Sequence, residues 1–355
     1  RLLGIEFETG KRVWCFPPLS ETWPEDDSAA PGMPSGADSA EAIKLSQRTW
    51  SDSPYGQISS DGSRIYVLHE LGFADRIGPT RIVARGGRVF STPDAPKPYN
   101  LLEALDLPRE GSRVWSVGGE HGGDEPQLAG AFFLGPPLPL MDKLYILAEV
   151  KGDIRMIVLE PETGKLVWQQ QLCGVDNQAI LSDSARRLGG ATPSFSEGVM
   201  ICPTSAGAVV AVDVAKRSLL WGYQYLEPPQ RPSGGPFFQI QSSRANRFQP
   251  GENWADATVT IAGDKVLITP VEVDDKKAKI ICLDLLEGTV KDKPLWQRER
   301  KFELEPDDLK SETFDGVYVG CVHKKIVVLV GTEHVAGLKL EDGEVAWYVK
   351  LSADA

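Results

Sequence analysis

The sequence predicts an all-β chain, a β-propeller of four-stranded antiparallel blades, on three observations. A segment ending in tryptophan recurs six times, at Trp14, Trp115, Trp168, Trp221, Trp296 and Trp347. Each copy holds a Gly or Ser turn between two stretches of alternating apolar residues, which reads as strand, tight turn, strand. A second hairpin pattern precedes most copies, so a repeat carries four strands. A repeat of about 50 residues cannot bury its apolar face alone, and stacking such units side by side gives a propeller or solenoid.

The clearest copies are Gly4-Ile5-Glu6-Phe7-Glu8-Thr9-Gly10-Lys11-Arg12-Val13-Trp14 and Val158-Leu159-Glu160-Pro161-Glu162-Thr163-Gly164-Lys165-Leu166-Val167-Trp168. The same ten-residue step runs from Ala211 to Trp221 and from Gly337 to Trp347. It is stretched by one residue from Ala104 to Trp115 and by four from Cys282 to Trp296. An acid sits two residues after the leading position in five copies (Glu6, Asp106, Glu160, Asp213, Asp284) and is expected to accept backbone hydrogen bonds from the turn. Lys339 breaks this pattern in the last copy.

The upstream hairpins begin at Asp61-Gly62, Asp142-Lys143, Glu197-Gly198, Gly263-Asp264 and Lys324-Lys325. The chain is therefore expected to form one domain, 1–355, with a partial blade at 1–19 and blades at about 56–119, 135–172, 192–225, 257–300 and 314–351. Residues 81–107 are a candidate for the degraded hairpin of the second repeat. Insertions at 17–54, 72–100 and 226–256 are rich in Pro, Gly and small polar residues, and loops so long usually bind something or lack fixed structure. The chain starts within a blade, so both ends read as cut and the ring as a trimmed one of up to about seven or eight blades.

Composition excludes several roles. The chain is 41% hydrophobic and has no apolar run approaching the ~18 residues of a membrane span. A net charge of −12 opposes a phosphate backbone, so nucleic acid is not expected as a partner. Cys15, Cys173, Cys202, Cys282 and Cys321 are scattered singly and form no CxxC pair. His69, His121, His323 and His334 are isolated, without the HxH or HxxxH spacing of a local zinc site. His121 stands out because it lies in the acid-rich loop Gly118-Gly119-Glu120-His121-Gly122-Gly123-Asp124-Glu125, after a blade's last strand; a plain solvated turn is the alternative. That loop lacks the Lys and Ser/Thr of a phosphate-binding loop. Residues 234–254 mix aromatics, Arg and amides, and Arg244, Asn246, Arg247 and Trp254 make a possible ligand or partner surface or a self-burying plug.

The repeat resembles that of the pyrroloquinoline-quinone-like (PQQ-like) propellers, whose signature runs Ala-x-Asp-x-x-Thr-Gly-x-x-x-Trp. Thr9-Gly10 with Trp14, and Thr163-Gly164 with Trp168, match its turn and tryptophan. The resemblance implies that the six tryptophans dock each blade on its neighbour and take no part in chemistry. It also divides the possible functions. Quinone-dependent dehydrogenases of the family hold PQQ and calcium at the ring centre, commonly beneath a disulfide between adjacent cysteines, and this chain has no adjacent cysteines. Other members, such as the lipoprotein of outer-membrane β-barrel assembly, bind proteins without a cofactor.

The reading carried forward is a non-catalytic scaffold of the periplasm or cell envelope with a protein partner, no catalytic or metal-binding residues and no cofactor. The alternatives are a PQQ- and calcium-dependent dehydrogenase of an alcohol or sugar, and a carbohydrate- or peptide-binding propeller. Oligomeric state stays open.

Overall fold

The structure is a computed structural model, which describes residues 2–16, 57–69, 82–85, 88–91, 97–175, 180–225, 259–270, 279–299, 301–304, 312–331 and 334–351. Among these residues the strands form five antiparallel sheets of four or five strands and two separate strand pairs. The five sheets are successive blades of a β-propeller, here numbered two to six. In each, the main strands follow one another across the sheet in chain order.

Blade one is represented by Leu2–Ile5 and Arg12–Phe16. Blade two contains Ile58–Ser60, Arg64–His69, Leu101–Asp106 and Ser112–Gly118, with Gly122–Gly123 added at its edge. Blade three is Lys143–Val150, Asp153–Leu159 and Leu166–Gly174, its first position shared by Phe132–Phe133 and Leu138–Leu140. Blade four is Ser194–Ser196, Val199–Pro203, Ala208–Asp213 and Ser218–Gln224. Blade five is Val259–Ala262, Lys265–Ile268, Lys279–Asp284 and Trp296–Glu299. Blade six is Glu312–His323, Ile326–Gly331, His334–Lys339 and Val345–Lys350, and Lys301–Leu304 extends it by pairing with the first part of Glu312–His323. The sequence gives no signal for that extension. Ile82–Arg85 and Arg88–Ser91 pair with each other and stand outside the sheet of blade two.

Alternation along each strand divides its side chains between two inter-blade cores. In blade three, Leu144, Ile146, Ala148, Ile157 and Leu159 pack with Tyr66, Leu102, Ala104, Trp115 and Val117 of blade two. The intervening Tyr145, Leu147, Ile154, Met156 and Val158 pack with Met200, Cys202, Val210 and Val212 of blade four. Blades four and five, and five and six, are joined in the same way. Because both faces are buried, these strands read as near-continuous apolar runs.

The repeated turn owes its shape to a bulge. Register shifts at Gly4/Ile5, Ala104/Leu105, Val158/Leu159, Ala211/Val212 and Gly337/Leu338, each time opposite the tryptophan. The extra residue increases the local twist and re-aims the side chains beside it. Asp106, Asp213 and Asp284 each accept backbone N–H groups from the turn, from Arg109, Lys216, and Leu286 with Glu287. Glu6 and Glu160 are one methylene longer and bind elsewhere: Glu6 accepts the Thr9 hydroxyl, and Glu160 pairs with Lys143 at 3.3 Å. Lys339 leaves the turn intact, since Gly343 N–H still donates to its carbonyl at 2.9 Å.

The tryptophans join neighbouring blades. Trp115, Trp221 and Trp296 donate their indole N–H to the carbonyls of Pro161, Leu285 and Leu340 in the next blade's turn, at 2.8, 3.0 and 2.9 Å. Each ring lies on that turn's glycine, Gly164, Gly288 or Gly343, where a Cβ would come within 2.8, 2.7 and 2.6 Å of the indole. These glycines have φ of 68°, 72° and 74°, so both the backbone and the close approach demand glycine. Trp14 lies likewise against Gly111 of blade two. Blade four has Arg217 at φ 54° where the others have glycine, and its guanidinium lies over the Trp168 ring, 5.6 Å from the centroid. Trp347 departs from the pattern: it is 41% exposed and packs on its own blade's Gly337. No helix among the described residues is long and apolar enough to cross a membrane.

Trp115→Ala is expected to destabilise the protein by about 3–5 kcal/mol, the usual cost of emptying a buried aromatic site. Gly164→Ala should cost less in the Trp115→Ala background than in the wild type, because the clash is removed while the positive φ remains. A double-mutant cycle by urea unfolding measures this, and additive effects would separate the glycine from the indole.

Candidate functional site

Chemistry-bearing side chains gather on the face formed by the connections between blades, residues 118–131 and 180–193, and by the turns inside blades three and four, residues 151–152 and 204–207. His121 lies here, in an exposed turn between Ser112–Gly118 and Gly122–Gly123. Arg244, Asn246, Arg247 and Trp254 fall outside the described residues.

The loop around His121 is a built structure. Gly118 and Gly122 take φ of 93° and 88°, Gly119 N–H donates to Asn100 O at 2.8 Å, and Asp124 caps Ser116 N–H at 2.8 Å. Glu120 and His121 point to solvent, but Glu125 is only 6% exposed. Its carboxylate caps the short helix Pro126–Leu128 through Gln127 N–H at 3.3 Å and accepts Leu166 N–H of blade three at 3.1 Å. Lys165 donates to the neighbouring carbonyl of Asp124. Burial alone would raise the Glu125 pKa; the Leu166 and Gln127 donors and the Lys165 charge outweigh it and hold the carboxyl below its usual range. Asn100 makes a similar clasp, exchanging two hydrogen bonds with the Phe133 backbone at 2.9 and 2.7 Å.

The most deeply buried charges lie between blade three and the next connection. Arg186, 2% exposed, sits on the short helix Ser184–Leu188. Its Nε faces Glu149 Oε2 at 2.8 Å and a terminal nitrogen faces Asp183 Oδ2 at 3.1 Å, while Asp183 Oδ1 accepts Arg186 N–H at 3.1 Å. Burial raises the Glu149 pKa, and the guanidinium opposes this in part. Beside them the Cys173 thiol is pushed up by burial, with the Thr204 hydroxyl and Arg186 partly offsetting it. Thr204 closes its own turn by donating to Ala208 O at 2.6 Å, next to the fully buried Ser205 at φ 52°. Farther in, Cys202 is enclosed with Met156 at 3.8 Å, and its thiol is strongly raised by burial. A nucleophilic cysteine needs the reverse, a lowered pKa and access.

This arrangement can neutralise and tie down a loop. It does not fit a calcium ion, because the guanidinium occupies the space between the two carboxylates that a cation would need. Among the described residues no group of three or more His, Cys, Asp and Glu side chains converges in a way that could hold a metal. None of the five cysteines neighbours another in sequence.

Residues 100–244 match the family model described as outer membrane protein assembly factor BamB. The repeats within those residues are similar to the PQQ-like kind. Solved structures similar to this chain include BamB from Moraxella catarrhalis, with 14% identity over 83% of this chain and 84% of that one and a TM-score of 0.37. A europium-containing methanol dehydrogenase has 12% identity over 84% of this chain and 52% of its own, with a TM-score of 0.43. The dihydro-heme d1 dehydrogenase NirN has 11% identity over 84% and 47%, also at 0.43. The chain spans about half the length of these two dehydrogenases. No curated protein matches its sequence.

The sequence reading of this face singled out His121 and missed Glu125, Glu149, Asp183 and Arg186. Two of the four carried a local signal. Glu125 precedes Pro126 and Asp183 precedes Ser184-Ala185-Arg186, each an acidic cap at the start of a short helix. Glu149 carried none, because its partner is set by the fold.

Arg186→Met is expected to cost about 3–5 kcal/mol by leaving two buried carboxylates without their cation, read from chemical denaturation at neutral pH. Glu125 tests the pH dependence. Its folded pKa lies below its unfolded value, so its stabilisation is complete above the unfolded pKa and is lost as pH falls through the folded one. Glu125→Gln should flatten the acid side of the Tm profile below about pH 5, and an unchanged profile would rule out the capping role.

Proposed function

We propose that this chain is a β-propeller scaffold of the cell envelope, which binds another protein and carries neither quinone nor calcium. The observation that carries the reading is how the ionisable groups of the loop-bearing face are used. Arg186 binds both Glu149 and Asp183, and Glu125 binds backbone N–H groups of its own connection and of blade three. A catalytic acid or base needs an open proton path and a substrate-facing side. These groups are turned inward, fastening loops to blades and leaving a firm outer surface. The match of residues 100–244 to an outer membrane assembly factor supports an envelope location and a protein partner.

The test is reconstitution with PQQ and calcium, followed by absorbance of the gel-filtered protein and dye reduction with alcohols and sugars. We expect no cofactor retained in stoichiometric amount and no dye reduction. Tight one-to-one retention with substrate-dependent dye reduction would replace this reading with the dehydrogenase.

A further inference from the structure

The cluster between blade three and the connection at residues 180–191 holds two carboxylates against one guanidinium, and the two are not treated alike. Asp183 takes the aligned hydrogen bonds, from Arg186 Nη1 to Oδ2 and from Arg186 N–H to Oδ1, each at 3.1 Å. Glu149 is left with charge alone. Arg186 Nε stands 2.8 Å from its Oε2, but that oxygen accepts no aligned hydrogen bond among the described residues. The Glu149 side chain is only 10% exposed, and its neighbours across the sheet, Phe132 and Ile154, offer no polar side chain. A buried carboxylate keeps its charge when donors or a cation of its own replace the lost water, and Glu149 shares its cation. Burial, helped by the charge of Asp183, outweighs the guanidinium and holds the Glu149 carboxyl above its usual range.

The other charged groups of the elements packed here do not supply the missing cation. Asp153 and Arg155 bind each other at 2.9 Å, and Lys151 is exposed in the turn that follows Glu149. Strand Leu166–Gly174 brings only the Cys173 thiol, which burial keeps neutral, and the turn at residues 204–207 brings only hydroxyls. Arg187, next on the short helix, has a partner other than Glu149. We propose that Glu149 is a proton-binding latch: taking one proton from solvent closes the connection at residues 180–191 onto blade three, and losing it at neutral pH loosens that connection. Once Glu149 is neutral, Arg186 and Asp183 remain as a one-to-one pair. The proton binds more tightly while Glu149 is covered than when the connection opens and water reaches it, so acid favours the covered form. The gain appears as pH falls through the folded pKa toward the unfolded value of about 4.3, the reverse of Glu125, whose stabilisation is lost below about pH 5. The latch stands apart from the scaffold reading, since it needs no partner.

The experiment is urea unfolding of the 355-residue chain and of its Glu149→Gln variant at about pH 7.5 and about pH 5. Glutamine keeps the shape and removes the charge. The variant should be the more stable at the upper pH by at least about threefold in the unfolding equilibrium constant, which is half a pKa unit, and this advantage should shrink at the lower pH. A variant no more stable than the wild type at about pH 7.5, or an advantage equal at both values, overturns the proposal. Amide hydrogen exchange of residues 186–191, corrected for the intrinsic rate, reads the connection itself. Protection in the wild type should rise at least about threefold from the upper pH to the lower. Flat or falling protection overturns the latch, and this measurement decides the matter if Glu149→Gln fails to fold.

Discussion

An indole resting on a glycine of the neighbouring blade is the contact on which this fold depends. A single four-stranded sheet here has two apolar faces and no helix to cover either, so its stability comes from the sheets beside it. The tryptophan secures that arrangement at the outer edge, filling the gap over the turn and donating to its carbonyl. The positive φ, the missing Cβ and the bulge opposite the ring are conditions of one geometry, and that is why they recur together. Where glycine is replaced, at Arg217, the aromatic face takes a cation in its stead.

Closer to the loops, polar contacts take over the same task. Asn100 and Glu125 clasp blades two and three, the group formed by Glu149, Asp183 and Arg186 holds the connection that follows blade three, and Ser194 donates to Val259 O at 2.8 Å between blades four and five. Buried ion pairs contribute little net stability, so the value of these lies in fixing where the loops sit.

Much of the fold was legible because its determinants are local. Strand alternation, a Gly-containing turn and a tryptophan ten residues on are all written within one short segment, and they imply a sheet that stacks on its own kind. Places where the sequence misled share a cause. Ile82–Arg85 and Arg88–Ser91 have the alternation of a blade hairpin yet, among the described residues, pair only with each other, because Leu101–Asp106 takes the place beside Arg64–His69. Lys301–Leu304 joins blade six although it follows blade five in sequence, a choice between two sheets that no local pattern encodes.

The sequence by itself determined the repeat, the fold class, the turn chemistry and the positions of the repeat tryptophans, because each depends on residues a few positions apart. Tertiary structure decided which tryptophan found a turn and which stayed open, and that Glu149 would face Arg186 rather than solvent. Those outcomes depend on the distance between blades and on burial, which arise only when separate repeats are brought side by side.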